Sequence, residues 1–164
     1  MESLRKFLYD KDEHIRPRLD KVLKDIPVYR AYAACVGCDL SVSGDMDEER
    51  QDAHLLLNRL HMAILANNGV KLIANTRTGG RKTLRSLSSL PKNIMCASGF
   101  LGCDYEPEYD LDYIAKILAF HPSKLIVYGK CNDLQREKMD RMGINYRVYA
   151  DYHARCKKEA RKHG

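Results

Sequence analysis

The chain has no tryptophan and only three phenylalanines, and no apolar run approaches the roughly 20 residues a membrane helix requires. A membrane-spanning helix is therefore not expected. The first residues, Met1-Glu2-Ser3-Leu4-Arg5-Lys6, lead into charge rather than an apolar core, so a secretion signal is not expected. Internal repeats and low-complexity stretches are missing. There is no Gly-x-Ser-x-Gly elbow, which removes support for a serine hydrolase. His54 and His61 lack the glutamate spacing of His-Glu-x-x-His, so a zinc peptidase is not indicated. Cys35 and Cys38 form one Cys-x-x-Cys pair, but Cys96, Cys103, Cys131 and Cys156 supply no second close pair for structural zinc. With no export signal, the six cysteines read as reduced, packing thiols. No metal and no cofactor is expected.

What is present is a 164-residue soluble composition, enough for one domain with a real core. A net charge of +6 is compatible with polyanionic partners and equally with a solvated basic surface. Tyrosine is frequent, at ten residues.

The pattern along the chain alternates between strands and helices. Residues 1–25 read as a charged helical N-terminus, broken near Pro17 and stopped before Pro27. A buried strand is expected over 33–42. Residues 47–67 form the clearest helix, with acidic residues in its first turn and Ala53, Leu56, Leu57, Leu60 and Ile64 as the inward stripe. Strands follow at 70–75, 93–99, 124–129 and 144–149. Helices are expected at 83–90, at 110–121 with Leu111, Ile114, Ile117 and Leu118 inward, and at 133–142. Residues 152–164 read as a basic helix or tail. Continuous apolar strands separated by helical connections predict an α/β fold: a mostly parallel sheet of about five strands with helices packed on it, either open and doubly wound or a partial barrel.

In parallel α/β folds, ligands gather at the carboxyl ends of strands. The residues so placed are Asp39, Ser41, Asn75, Arg77, Ser98, Tyr128 and Lys130, with Gly99, Gly129, Asp151 and Tyr152 beside them. The loop 76–83 is the most suggestive segment. It carries Gly79, Gly80, Arg81 and Lys82 between an apolar strand and a helix, the order that cradles phosphate. Its spacing is not that of Gly, four residues, Gly-Lys-Ser/Thr. A solvated turn is the competing interpretation. Asp39, Asp45, Asp104 and Asp151 are available as bases, with no spacing that marks them. Arg155, Lys157, Lys158, Arg161 and Lys162 could grip phosphates from the tail.

From about residue 27 to 130 the chain resembles a family of bacterial, phage and mobile-element proteins known only as a domain of unknown function. The resemblance is carried by Asp39-Leu40-Ser41 with Asp45-Met46, by Asn58-Arg59, and by Asn68-Gly69-Val70-Lys71-Leu72-Ile73-Ala74-Asn75-Thr76-Arg77. It continues through Leu90-Pro91-Lys92, Ala97-Ser98, Gly102-Cys103 and Lys124-Leu125-Ile126-Val127-Tyr128-Gly129-Lys130. The chain departs from it at Cys38-Asp39-Leu40-Ser41, where the family tends to have Pro-Asp-Phe-Ser, and at Thr78, which replaces an aromatic. Its upstream strands are also shortened. The resemblance implies a phage or mobile-element setting in a bacterial cytoplasm, and no activity.

The expectation is a protein that binds a phosphate-bearing small molecule, in particular a nucleotide, at the strand carboxyl ends. Sequestration of a host signalling nucleotide would suit that setting. Arg77, Arg81 and Lys82 would neutralise charge, Gly79 and Gly80 would offer N–H groups, and Asp39, Asn75, Ser98 and Tyr128 would orient a base or ribose. The alternatives are a nucleic-acid binder using the basic loop and tail, and an enzyme acting on a phosphorylated substrate with Asp39 as base or metal ligand. Homo-oligomer formation is left open.

Overall fold

A computed structural model describes residues 12–99, 110–129 and 131–150. The expectations for residues 1–11, Asp104, Lys130, Asp151, Tyr152 and the basic tail lie outside the described residues.

Five strands run parallel in sequential order: β1 (Cys35–Val36), β2 (Leu72–Asn75), β3 (Met95–Gly99), β4 (Lys124–Tyr128) and β5 (Tyr146–Tyr149). This is the expected α/β sheet. The order never reverses, so it has no switch point of the doubly wound kind. Right-handed crossovers in a sequential sheet place their connections on one face. The packing agrees. Ala74, Cys96, Leu125 and Val127 meet Leu87, Ile117, Phe120 and Met139 in the largest core cluster. These core partners come from a 3-10 helix (Arg81–Ser89), α4 (Asp110–Phe120) and α5 (Asp133–Arg141). Cys35 and Leu72, on the same face by register and alternation, pack with Leu65 of α3 (Glu48–Asn67). Val36, Ile73 and Ala97 form a separate buried cluster on the opposite face.

Local chemistry explains the α3 boundaries. Asp47 caps it by accepting from Arg50 N at 2.8 Å, and Gly69 (φ 71°) lies just beyond its end. Asn132 and Gln135 form a reciprocal capping box at the start of α5.

Several expectations are corrected. Pro17 and Pro27 neither break nor stop helices: they lie inside α1 (Asp12–Asp20) and α2 (Val22–Arg30). Both prolines are exposed, as are Glu13 and Leu23 four residues before them, so the released carbonyls are on the water side. Burial of Ile15, Val22, Ile26 and Tyr29 holds the two helices down. Leu118 is exposed, and Phe120 takes the inward place beside Ile117.

Of the expected α3 stripe, Ile64 packs inward and the other members are turned outward. Leu56, Leu57 and Leu60 are 59%, 40% and 48% exposed, while Gln51, His54, Asn58 and His61 are buried. The polar residues face inward because they hydrogen-bond loop backbone. The first strand accordingly shrinks from the expected 33–42 to two residues. Asn58 accepts from Leu40 N (2.9 Å) and donates to Leu40 O (3.2 Å), and His61 Nδ1 accepts from Cys38 N (3.2 Å). Side chains of α3 thus replace the ladder partners that a longer β1 would need. No described helix is long and apolar enough to cross a membrane.

Candidate functional site

Two loops leave the carboxyl ends of β1 and β2, and α3 holds the first against the second. Gln51, His54, Asn58 and His61, at spacings of three, four and three, lie on one helix side. Gln51 Nε2 donates to Met46 O (2.7 Å), and its Oε1 accepts from Gly80 N (2.8 Å). His54 Nδ1 donates to Ser41 O (2.7 Å), and Arg16 Nη2 lies 3.3 Å from Nε2, which suits this tautomer. His61 takes the other one, since its Nδ1 accepts from Cys38 N. These four residues organise the rim. A buried polar face on the longest helix is their only trace in the sequence.

The rim brings together Asp39, Asn75 and Arg77. Arg77 grips Asp39 with two bonds, Nε to Oδ1 at 2.8 Å and Nη2 to Oδ2 at 2.6 Å. Asn75 Nδ2 donates to the same Oδ1 (2.8 Å) and to Cys38 O (3.1 Å), while its Oδ1 accepts from Arg77 N (2.9 Å). The Asp39 side chain is 2% exposed and that of Arg77 is 24% exposed. Both carboxylate oxygens are engaged, an arrangement that fixes a recognition group better than it frees a base. Ser98 and Tyr128 are half-buried near the carboxyl ends of β3 and β4. Tyr128 pairs with Gly99 and Asn75 with Ala97, so small β3 residues lie between them on the sheet face opposite the helices. Ser41 is tied through its backbone, its N–H donating to Asp12 Oδ1 (2.9 Å).

The glycine loop works differently from the expectation. Gly79 N donates to Thr83 Oγ1 (2.9 Å) and Gly80 N to Gln51, so both N–H groups are used within the protein. A Cβ at Gly79 would collide with Gln51 Oε1 and Val42 Cγ1, so close packing requires glycine there. Lys82 Nζ lies 2.9 Å from Glu48 Oε2, and Arg85 Nη2 is 2.5 Å from Asp52 Oδ2. Gly44, Met46, Glu48, Gln51, Gly80, Lys82 and Thr83 line a depression of about 250 Å³. The N-termini of α3 and of the 3-10 helix both meet it. Of the sequence-identified residues, Asp39, Asn75 and Arg77 meet on the rim and Gly80 and Lys82 at the depression, whereas Ser98 and Tyr128 lie at the ends of β3 and β4. The Arg81 side chain lies outside the described residues.

No family model, curated protein or solved structure matches the chain. The chemistry of these two places is therefore what bears on function.

Arg59 is the least satisfied group near them. Its Nη1 donates to Asn75 O (2.7 Å), while buried Nε and Nη2 have no hydrogen-bond partner among the described residues. Burial lowers its pKa, and it adjoins Cys96, whose thiol burial pushes up to about 12 despite Arg59. Cys38 likewise rises to about 12 by burial, with Asp39 adding to it. Both thiols stay protonated at neutral pH, which suits packing rather than nucleophilic chemistry. Cys35 lies in β1 and Cys38 beyond it, with Cys38 Sγ donating to Asn58 Oδ1 at 3.2 Å. Among the described residues no group of three or more His, Cys, Asp or Glu could hold a metal ion.

Burial lowers His61 to about 4 from the ordinary 6.5. Between these values the unfolded chain binds the extra proton, so stability rises with pH and is lost as pH falls. A loss of about 2 kcal/mol is expected on going from pH 7 to pH 5. Urea denaturation of the native chain and of His61→Gln at both pH values checks this. The variant should show that much less pH dependence.

Proposed function

We propose that this protein binds a phosphate-bearing small molecule, most simply a nucleotide, along the rim formed by the loops after β1 and β2. The observation that carries the reading is the depression of about 250 Å³ where the N-termini of α3 and the 3-10 helix meet beside Lys82. Converging helix N-termini favour an anion through their dipoles and first-turn N–H groups, of which Asp47 occupies that of Arg50. The N–H groups that serve would be those of the helix starts, not those of Gly79 and Gly80. Arg77, partly exposed and fixed by Asp39 and Asn75, gives a positioned cation for the same molecule, with Asp39 orienting it from beneath. Recognition through Ser98 and Tyr128 belongs to this reading too. The bacterial-cytoplasm and mobile-element setting, and sequestration of a signalling nucleotide, are part of the proposal and rest on the family resemblance.

Glu48 is the built-in competitor. The side chains of Lys82 and Glu48 are 76% and 47% exposed, and such surface pairs are worth about 0–1 kcal/mol, so a phosphate can displace the carboxylate. Glu48→Gln is expected to tighten phosphate-ligand binding severalfold, and Lys82→Ala to weaken it by up to about tenfold, roughly 1.4 kcal/mol. Thermal shift against a nucleotide panel, followed by calorimetric titration of both variants, tests the reading. Absence of stabilisation by every nucleotide at millimolar concentration would sink it. Binding of DNA or RNA alone, with affinity falling steeply with salt, would favour the nucleic-acid alternative.

A further inference from the structure

The outward face of α3 is apolar. Ala53, Leu56, Leu60 and Ala63 recur at spacings of three, four and three, and all four are exposed, with exposed Leu57 alongside. The inward side of the same helix buries Leu55, Met62 and Leu65 together with Gln51, His54, Asn58 and His61, and the stripe lies outside that packed side.

We propose that this face pairs with its counterpart in a second copy of the chain, α3 against α3, antiparallel about a two-fold axis. The stripe reads the same in both directions. An antiparallel axis level with Asn58 would set Leu56 against the partner's Leu60 and Ala53 against the partner's Ala63. The large side chains then meet at the centre, and the small ones let the helices approach on either side.

Charge selects the same arrangement. At the exposed N-terminal end of α3, Glu48 pairs with Lys82 and Asp52 with Arg85, while exposed Glu49 lies one turn before Ala53 on the stripe side. At the C-terminal end of α3 is exposed Arg30, whose Nε donates to Asn68 O at 2.7 Å. Antiparallel pairing brings each Glu49 near the partner's Arg30 and opposes the two helix dipoles, whereas parallel pairing would set Glu49 against Glu49. The apolar face consists of few side chains, so the dimer is weak and depends on concentration. This inference does not rest on the nucleotide reading.

Sedimentation of the full chain over a wide concentration range tests it. The apparent mass should climb from near 18.8 kDa towards twice that value. The double variant Leu56→Glu, Leu60→Glu should remain monomeric with an unchanged melting temperature, because both positions are exposed in the monomer. The milder Leu60→Gln should raise the dissociation constant severalfold, so the test does not depend on the double variant folding. Glu49→Arg should weaken the dimer, and adding Arg30→Glu should restore it. A chain monomeric at every concentration would overturn the proposal. So would a dimer unmoved by the leucine substitutions, or one that these charge reversals leave unchanged.

Discussion

Asn58→Ala is expected to remove about 4 kcal/mol of folding stability, because three buried partners lose their contact at once. Asn58 is 1% exposed and serves Leu40 N, Leu40 O and Cys38 Sγ. A buried backbone group left without a partner costs about 1–3 kcal/mol, and the space left by the amide adds to that. Against a typical domain stability of about 5–15 kcal/mol, the variant would be severely weakened. Urea denaturation measures it as a lowered midpoint. A loss below about 1 kcal/mol would mean that residues 38–40 have another way to satisfy their backbone, such as extending β1 along β2.

Asp39→Ala should cost about 3–5 kcal/mol, since it leaves Arg77 and Asn75 without their shared acceptor. The cause is the loss of the acceptor that Arg77 and Asn75 share rather than the net worth of the ion pair. Replacing both partners by apolar residues of similar size, Asp39→Leu with Arg77→Met, should therefore recover more than half of the loss. Denaturation of the single and double variants gives the coupling directly. Equal losses in both would show that Asp39 matters through its packing and not its charge. Binding is the independent readout. If the rim recognises a ligand, the double variant regains stability without regaining affinity.

The sheet was legible because its strands are short apolar runs followed by polar residues, and β2 to β5 fall where those runs lie. The ends of α3 were legible from the acidic first turn and Asn67-Asn68-Gly69. Its orientation was not. Periodicity identifies an apolar face and cannot say which side meets the core when the opposite face carries groups that loop backbone needs. Gln51, His54, Asn58 and His61 supply those groups beside Leu55 and Leu65, and Leu56, Leu57 and Leu60 turn outward. The same substitution of side chains for ladder partners hid the early end of β1. The candidate site was half legible. Asp39, Asn75 and Arg77 do converge, because β1 and β2 are adjacent and parallel, as strand-end reasoning expects. The glycine loop misled because Gly79 has a packing reason, its closeness to Gln51 and Val42, that leaves no mark in sequence. The pairing of Lys82 with Glu48 was equally invisible, the two residues being far apart in the chain.

The central claim is that phosphate-bearing molecules bind beside the starts of α3 and the 3-10 helix. Backbone amide chemical shifts of the full chain, followed during titration with nucleoside triphosphate, test it most directly. The account predicts saturable shifts concentrated at Gly44, Met46, Glu48, Gly80, Lys82 and Thr83 and reaching Arg77. No shift at millimolar ligand would contradict it, as would shifts confined to β5 and the far edge of the sheet.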